Sequence, residues 1–357
     1  MFKTQKAMRY SLLLYILLAM FIEIHGQSAI FLHHSTGQGV FVDGKVASWI
    51  NQYNSKNGTN YTVTARAYPG TPYPWENYPY DYWNLWLNGQ CSTVDANTQC
   101  LGNILQSYDM VIFKHCFPGA GIGPDQGTPA VNSPVKTIGN YKLQYRALRN
   151  LMDQYPAKKF IVWTLAPLHR LGTTTEEATR AREFVNWVKS TWLSVDGKTH
   201  PNIYIFDFYN LVAESNTNPV NGKVNCLKYE YEISHSNGDS HPNLLANQTV
   251  GPVFAEFIVN TFKGQSTGIN KYDDNRDEIV ISSDPGQHQL SIDISRSGEN
   301  KMSVRIFNIN GQMVYNNPSS EEPKLQINTS GFLNGTYIIW IIAGQHTFIR
   351  KFAIIHG

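Results

Sequence analysis

Charge of one sign is the first thing this sequence lacks. Its 29 basic and 27 acidic side chains leave a formal net charge of +2. No basic stripe points to nucleic acid, and no acidic run points to a solvating tail. Cysteine is scarce too, with four residues and no CxxC pair, which argues against a zinc ribbon or a redox motif. Cys91 and Cys100 bracket "STVDANTQ", a spacing that suits a local bridge; whether Cys116 and Cys226 pair is not legible. Also missing is a second long apolar run. The first, "SLLLYILLAMFI", follows Lys3, Lys6 and Arg9 and ends near Gly26, as in a secretory signal. An exported chain is therefore expected, in which disulfides are permitted.

What the sequence has is apolar bulk. It is 42% hydrophobic and 13% aromatic over 357 residues, ample for a large core. Five segments read as buried strands: "AIFLHH", "YTVTARAY", "DMVIFKH", "KFIVWTLAP" and "NIYIFDF". Helical stretches fall between them, at residues 143–155 and at "TEEATRAREFVNWVKSTW", opened by Thr174 or Thr175. A third helix is expected near 244–262, after "SHPN". Strand alternating with helix predicts an α/β domain with a mostly parallel sheet covered on both faces. Ligands in such sheets bind beyond the carboxyl ends of the strands, where the polar clusters of this chain fall.

From Lys263 the texture changes. "KGQSTGINKYDDNRDE" reads as a linker, and alternating segments broken by "NG", "SG" and "AGQ" turns follow it. That pattern predicts an antiparallel β-sandwich. The expected division is a signal segment over 1–26, an α/β domain over 27–263, a linker over 264–277 and a sandwich over 278–357.

The stretch "AIFLHHSTGQGVF" puts Ser35 where the first strand ends, with Gly37 and Gly39 allowing a tight turn into a helix. A helix starting there points backbone N–H groups at an anion. A lone serine in that place is ordinarily a cap or turn former. His241, in "SNGDSHPNLLAN", offers an imidazole with a pKa near neutrality at the same sheet edge. Its competing reading is a solvated loop histidine. Pro242 suits the first turn of the helix that follows.

Other residues invite other chemistry. His33, His34, His235 and His241 raise a metal reading. Adjacent histidines diverge from an extended strand and no carboxylate stands at ligand spacing, so no metal and no cofactor are expected. One of His33 and His34 is expected to pack inside while the other borders the serine. Cys116, beside His115, ranks below Ser35 as a nucleophile, because exported cysteines are usually bridged or buried. Lys114 is expected to alternate away from the site or to snorkel outward. "YPGTPYPWENYPYDYWNLW" is dense in rings that either stack on sugars or pack their own loop over the sheet edge.

The order of these blocks resembles the SGNH, or GDSL-type, hydrolase superfamily over roughly residues 28–263. "FLHHSTG" stands at the serine block, "YPGTP" at the oxyanion glycine, "DMVIFKHCFPGAGI" at the third strand and "DSHPN" at the histidine. The resemblance implies a flavodoxin-like three-layer fold with a central five-stranded parallel sheet. It also implies a secreted esterase needing no cofactor. Ser35 would be the nucleophile, His241 the base, and Gly70 with the Ser35 N–H the oxyanion donors. The chain departs from the family in three places. His33 and His34 replace the Gly-Asp before the serine, "GxND" is absent from the third block, and Gly238 stands where the acid belongs. Asp239 is then the provisional orienter of His241, and His115 or, less favoured, Lys114 the substitute oxyanion donor. Acyl esters, acetyl on carbohydrate among them, are the expected substrates, on a small molecule or a polysaccharide. The altered blocks leave a second reading open, a catalytically degenerate glycan-binding protein.

The tail resembles the C-terminal sorting domain of the type IX secretion system of Bacteroidetes. "VRIFNINGQMVY" and "LNGTYIIWIIAGQHTFIRKFAII" carry that likeness. It implies a partnership with the secretion machinery and a secreted or cell-surface location.

Overall fold

A computed structural model of the chain describes residues 26–74, 76–264, 279–284, 288–295, 299–308, 312–344 and 346–354. The expected signal segment and linker lie outside the described residues, apart from Gly26 and Gly264. Five strands form one parallel sheet: β1 (Ser28–His33), β2 (Thr62–Ala67), β3 (Met110–Phe113), β4 (Lys159–Trp163) and β5 (Ile203–Phe206). Their spatial order is β2-β1-β3-β4-β5, so β1 and β3 are neighbours near the sheet centre.

The central strands are apolar throughout because both sheet faces are covered. In β1, Ile30 and Leu32 join one core cluster while Ala29 and Phe31 join the other. Fully burying a side chain such as Phe31 or Ile112 stabilises the fold by about 1.5–3 kcal/mol.

The helices make the outer layers. Helices α1 (Ser35–Val42), α2 (Val46–Asn57), α3 (Pro79–Trp86), α4 (Leu101–Ser107), α5 (Ile138–Met152), α6 (Thr175–Trp187), α7 (Phe208–Val212) and α8 (Leu244–Phe262) follow in chain order. Thr174 caps α6 in a reciprocal box with Glu177, which is why its start was legible. The aromatic stretch after β2 holds α3, and Tyr82, Trp83 and Trp86 are buried against the sheet. Those three rings therefore pack the core. Cys91 and Cys100 form the local disulfide. Cys116 and Cys226 are both free and buried.

The tail is a sandwich of two antiparallel sheets. Strands β6 (Val280–Asp284), β7 (Gln289–Asp293) and β10 (Lys324–Asn328) make one. Strands β8 (Met302–Asn308), β9 (Met313–Ser320), β11 (Gly335–Ala343) and β12 (His346–Ile354) make the other. Leu290, Ile292, Ile306, Ile339 and Ile341 fill the space between them. A sandwich strand normally alternates, yet β11 reads "YIIWII". The reason lies on its outer face, where Trp340, with Phe307 of β8, packs into the cluster built around α8. Arg305 reaches Glu256 of α8 with N–O distances of 2.8 and 3.0 Å, its guanidinium 5.4 Å from the Trp340 ring centre. Among the described residues no helix is long and apolar enough to cross a membrane.

Candidate active site

Ser35 is the first residue of α1 and follows β1 after a single extended residue, His34. Its side chain is exposed at the carboxyl end of the sheet. Gly37 and Gly39 serve close approach inside α1, a different use from the turn expected of them. A Cβ on Gly37 would lie 2.5 Å from His33 Cβ, and one on Gly39 2.6 Å from Asn247 Nδ2 of α8. The two glycines let the helix settle against β1 and α8.

The structure brings Ser35, His241 and Asp239 together. Ser35 Oγ lies 2.7 Å from His241 Nε2, and His241 Nδ1 lies 2.6 Å from Asp239 Oδ1. With Nδ1–H donating to the carboxylate, Nε2 presents its lone pair to the serine hydroxyl. Asp239 stands two residues before the histidine, and its carboxylate also accepts the His241 backbone N–H at 3.0 Å. That backbone bond is the largest influence holding the Asp239 carboxyl below the usual carboxylate range, with the imidazole adding to it. The Phe117 ring packs edge-on against His241, centroids 4.8 Å apart.

The loop carrying His241 is fixed from beneath. His169 donates its backbone N–H to Ser240 Oγ at 2.8 Å. Its ring Nδ1 accepts the Leu171 N–H, so the proton sits on Nε2, 3.0 Å from the Glu232 carboxylate. Glu232 is fully buried and also meets Arg170 and His235. Asn243, not Pro242, opens α8, its side chain accepting the Ala246 N–H. No motif marked His169 or Glu232 in the sequence, because the contact of His169 with Ser240 spans 71 residues of chain and its contact with Glu232 is also far from local.

Neither of two expected oxyanion donors is free to face a substrate. The Gly70 N–H donates to the Asn97 carbonyl at 2.7 Å, which removes it from a substrate's reach. His115 is completely buried among the rings of Tyr82, Phe113 and Tyr145. Burial pushes its pKa down to about 3, and neither ring nitrogen has a hydrogen-bond partner. The Ser35 N–H, in the first turn of α1, belongs to the group of helix donors that find no acceptor within the helix.

The two histidines before the serine divide as expected. His33 is buried and His34 partly exposed, its Nε2 2.6 Å from the Pro69 carbonyl. His235 bonds Glu232 and stacks on Tyr229. Among the described residues, no group of three or more His, Cys, Asp or Glu side chains stands ready to hold a metal ion.

Lys114 departs from expectation. Instead of turning outward, it is buried with its ammonium 3.5 Å from Cys116 Sγ. That sulfur lies 3.7 Å from Ser35 Oγ and 3.8 Å from Thr36 Oγ1.

Comparison with known proteins bears chiefly on the tail. Residues 284–355 match the family described as a secretion system C-terminal sorting domain. No match was found among curated protein sequences. A DUF3244 family protein from Bacteroides vulgatus with an immunoglobulin-like β-sandwich is 21% identical, at a TM-score of 0.21 over 24% of this chain and 90% of its own. A gut microbial diltiazem-metabolizing enzyme is 9% identical, at 0.30 over 82% of this chain and 70% of its own. An endo-beta-1,4-mannanase from Thermotoga petrophila is 10% identical, at 0.22 over 93% and 65%. At these scores none of the three structural likenesses carries an argument about fold or activity. The sorting-domain match does: the chain is exported by the type IX route, to the cell surface or beyond it, and its C-terminal domain is the part that engages that machinery.

Proposed function

We propose that the α/β domain is an exported serine esterase of the SGNH kind. The observation that carries this reading is the unbroken relay from Asp239 Oδ1 through the His241 ring to Ser35 Oγ, with contacts of 2.6 and 2.7 Å. Ser35 attacks the ester carbonyl while His241 Nε2 takes its proton and passes it to the leaving alcohol. Water then attacks the acyl-serine, with His241 acting as base a second time. Asp239 holds the imidazole in the tautomer this requires and stabilises the imidazolium. The Ser35 N–H is the donor for the developing oxyanion, aided by the positive end of α1.

Openness supports a bulky substrate. The His241 side chain is 35% exposed and that of Asp239 40%, at the rim of the sheet. A site of this form suits an acyl group borne on a large molecule that stays in solvent, and export sends the enzyme to such molecules. Acetyl esters on carbohydrate are the substrate class we favour.

The test is turnover of p-nitrophenyl acetate by the full chain and by Ser35→Ala. The esterase reading expects the variant to lose about 10⁴-fold or more in kcat. If the two proteins are equally inert on acyl esters while both bind glycans, the α/β domain is a binding module instead.

A further inference from the structure

A buried lysine ammonium needs an anion or a set of acceptors, and among the described residues neither a carboxylate nor a carbonyl meets the Lys114 tip. Its hydrogen-bond partner is Cys116 Sγ, 3.5 Å away. The lysine stem runs beneath α1, where a Cβ on Gly37 would lie 2.8 Å from Lys114 Cδ. The Lys114 carbonyl accepts from the Tyr82 hydroxyl at 3.1 Å. Cys116 is fixed in turn, its N–H donating to the Asn77 carbonyl at 2.8 Å.

Several groups converge on that one sulfur: the Lys114 ammonium, the Ser35 and Thr36 hydroxyls and the Thr36 backbone N–H. Burial lowers the Lys114 pKa, while for the Cys116 thiol burial acts upward and the neighbouring lysine and hydrogen bonds bring it down. Ser35 Oγ is 1 Å closer to His241 than to the sulfur (2.7 against 3.7 Å), so the hydroxyl hydrogen belongs to the imidazole. The thiol S–H is left to donate to the other side of the oxygen.

We infer that Cys116 and Lys114 are positioning residues for Ser35: the sulfur, pinned by the ammonium, holds the serine oxygen and the first turn of α1 where the hydroxyl hydrogen meets His241 Nε2. This rests on the esterase reading above and explains what supports the serine in a block without the family's Gly-Asp. A misplaced nucleophile slows the chemistry and leaves binding alone, so the signature is a fall in kcat at constant KM.

The probe is a fluorophosphonate, which labels an activated serine whatever the natural substrate. Its rate constant at Ser35 is measured together with kcat and KM on p-nitrophenyl acetate. Removing only the thiol strands a buried lysine and endangers folding, whereas Lys114→Met/Cys116→Ala removes both partners and keeps the apolar fill. In that double variant we expect labelling and kcat to fall about 10- to 100-fold with KM unchanged, while thermal unfolding stays near wild type. Cys116→Ser, which retains a hydroxyl able to donate to Ser35 Oγ, recovers most of the rate. If the double variant does not fold, Lys114→Met alone carries the test, with a fall of about tenfold expected. Wild-type labelling rates in the folded variant overturn the inference while leaving the esterase reading intact. Absence of label at Ser35 in the wild type overturns both.

Discussion

Ser35 and His241 lie 206 residues apart in the chain, yet Ser35 Oγ is 2.7 Å from His241 Nε2. The meeting follows from topology. β1 is near the centre of the sheet, the chain finishes its α/β domain with α8 packed against α1 and α2, and the loop before α8 returns to the end of β1.

Asp239 sets the tautomer in this arrangement, so Asp239→Asn should lower kcat far more than it raises KM. Because the carboxylate is 40% exposed, we expect a loss between about 10² and 10⁴-fold, short of a fully buried triad. Steady-state kinetics on p-nitrophenyl acetate checks it. The Asp239 carboxyl lies below its usual range in the folded protein, so its stabilising contact with His241 is full above the ordinary carboxylate pKa and is lost as pH falls further.

Stability should rise with pH across the acid range. Burial lowers His33 and His34 to about 4 and His115 to about 3 from the ordinary 6.5. Between those values the unfolded chain binds three protons that the folded chain refuses, so the native state loses stability as pH falls below 6.5. Asp81 works the other way: burial raises it to about 6, so it favours the folded state at low pH and loses that effect as pH rises from 3.8. Three imidazoles outweigh one carboxyl, each proton being worth about 1.4 kcal/mol per pH unit. Thermal unfolding between pH 4 and 6.5 should therefore show Tm climbing with pH.

Glu232 is a buried carboxyl group shared by His169, Arg170 and His235. Glu232→Ala leaves those partners without their carboxylate and should cost about 3–5 kcal/mol. Since His169 also holds Ser240, the loop bearing His241 loosens with it. Denaturant unfolding and kcat should both fall, whereas a variant of an exposed loop residue such as Val220 should change neither.

The sorting domain rests on α8 through Trp340 and the Arg305–Glu256 pair. Trp340→Ala should weaken that junction by about 3 kcal/mol. Limited proteolysis should then separate the two domains faster. Among the described residues Trp340 makes no contact with Ser35, His241 or Asp239, so turnover by the intact variant should be preserved.

Much of the architecture was legible because β1, β3 and β4 are apolar on both faces and α6 begins with a capping box. α2 was not, since it starts after Lys45 in a left-handed conformation, without a capping side chain, and buries only Val46 and Ile50. α3 was hidden in a Pro- and Tyr-rich stretch that reads as loop, although Pro79 occupies a first helical turn. At the site, the order of blocks paired Ser35 with His241, and proximity in sequence suggested Asp239. The engagement of Gly70 by Asn97 and the inward turn of Lys114 depend on contacts between distant segments, which no local pattern records.

Mass spectrometry of the fluorophosphonate-treated full chain probes the central claim most directly. The account predicts one covalent adduct, on the peptide containing Ser35, absent in Ser35→Ala and strongly slowed in His241→Ala. An adduct confined to another residue, or none at all on folded protein, would contradict it.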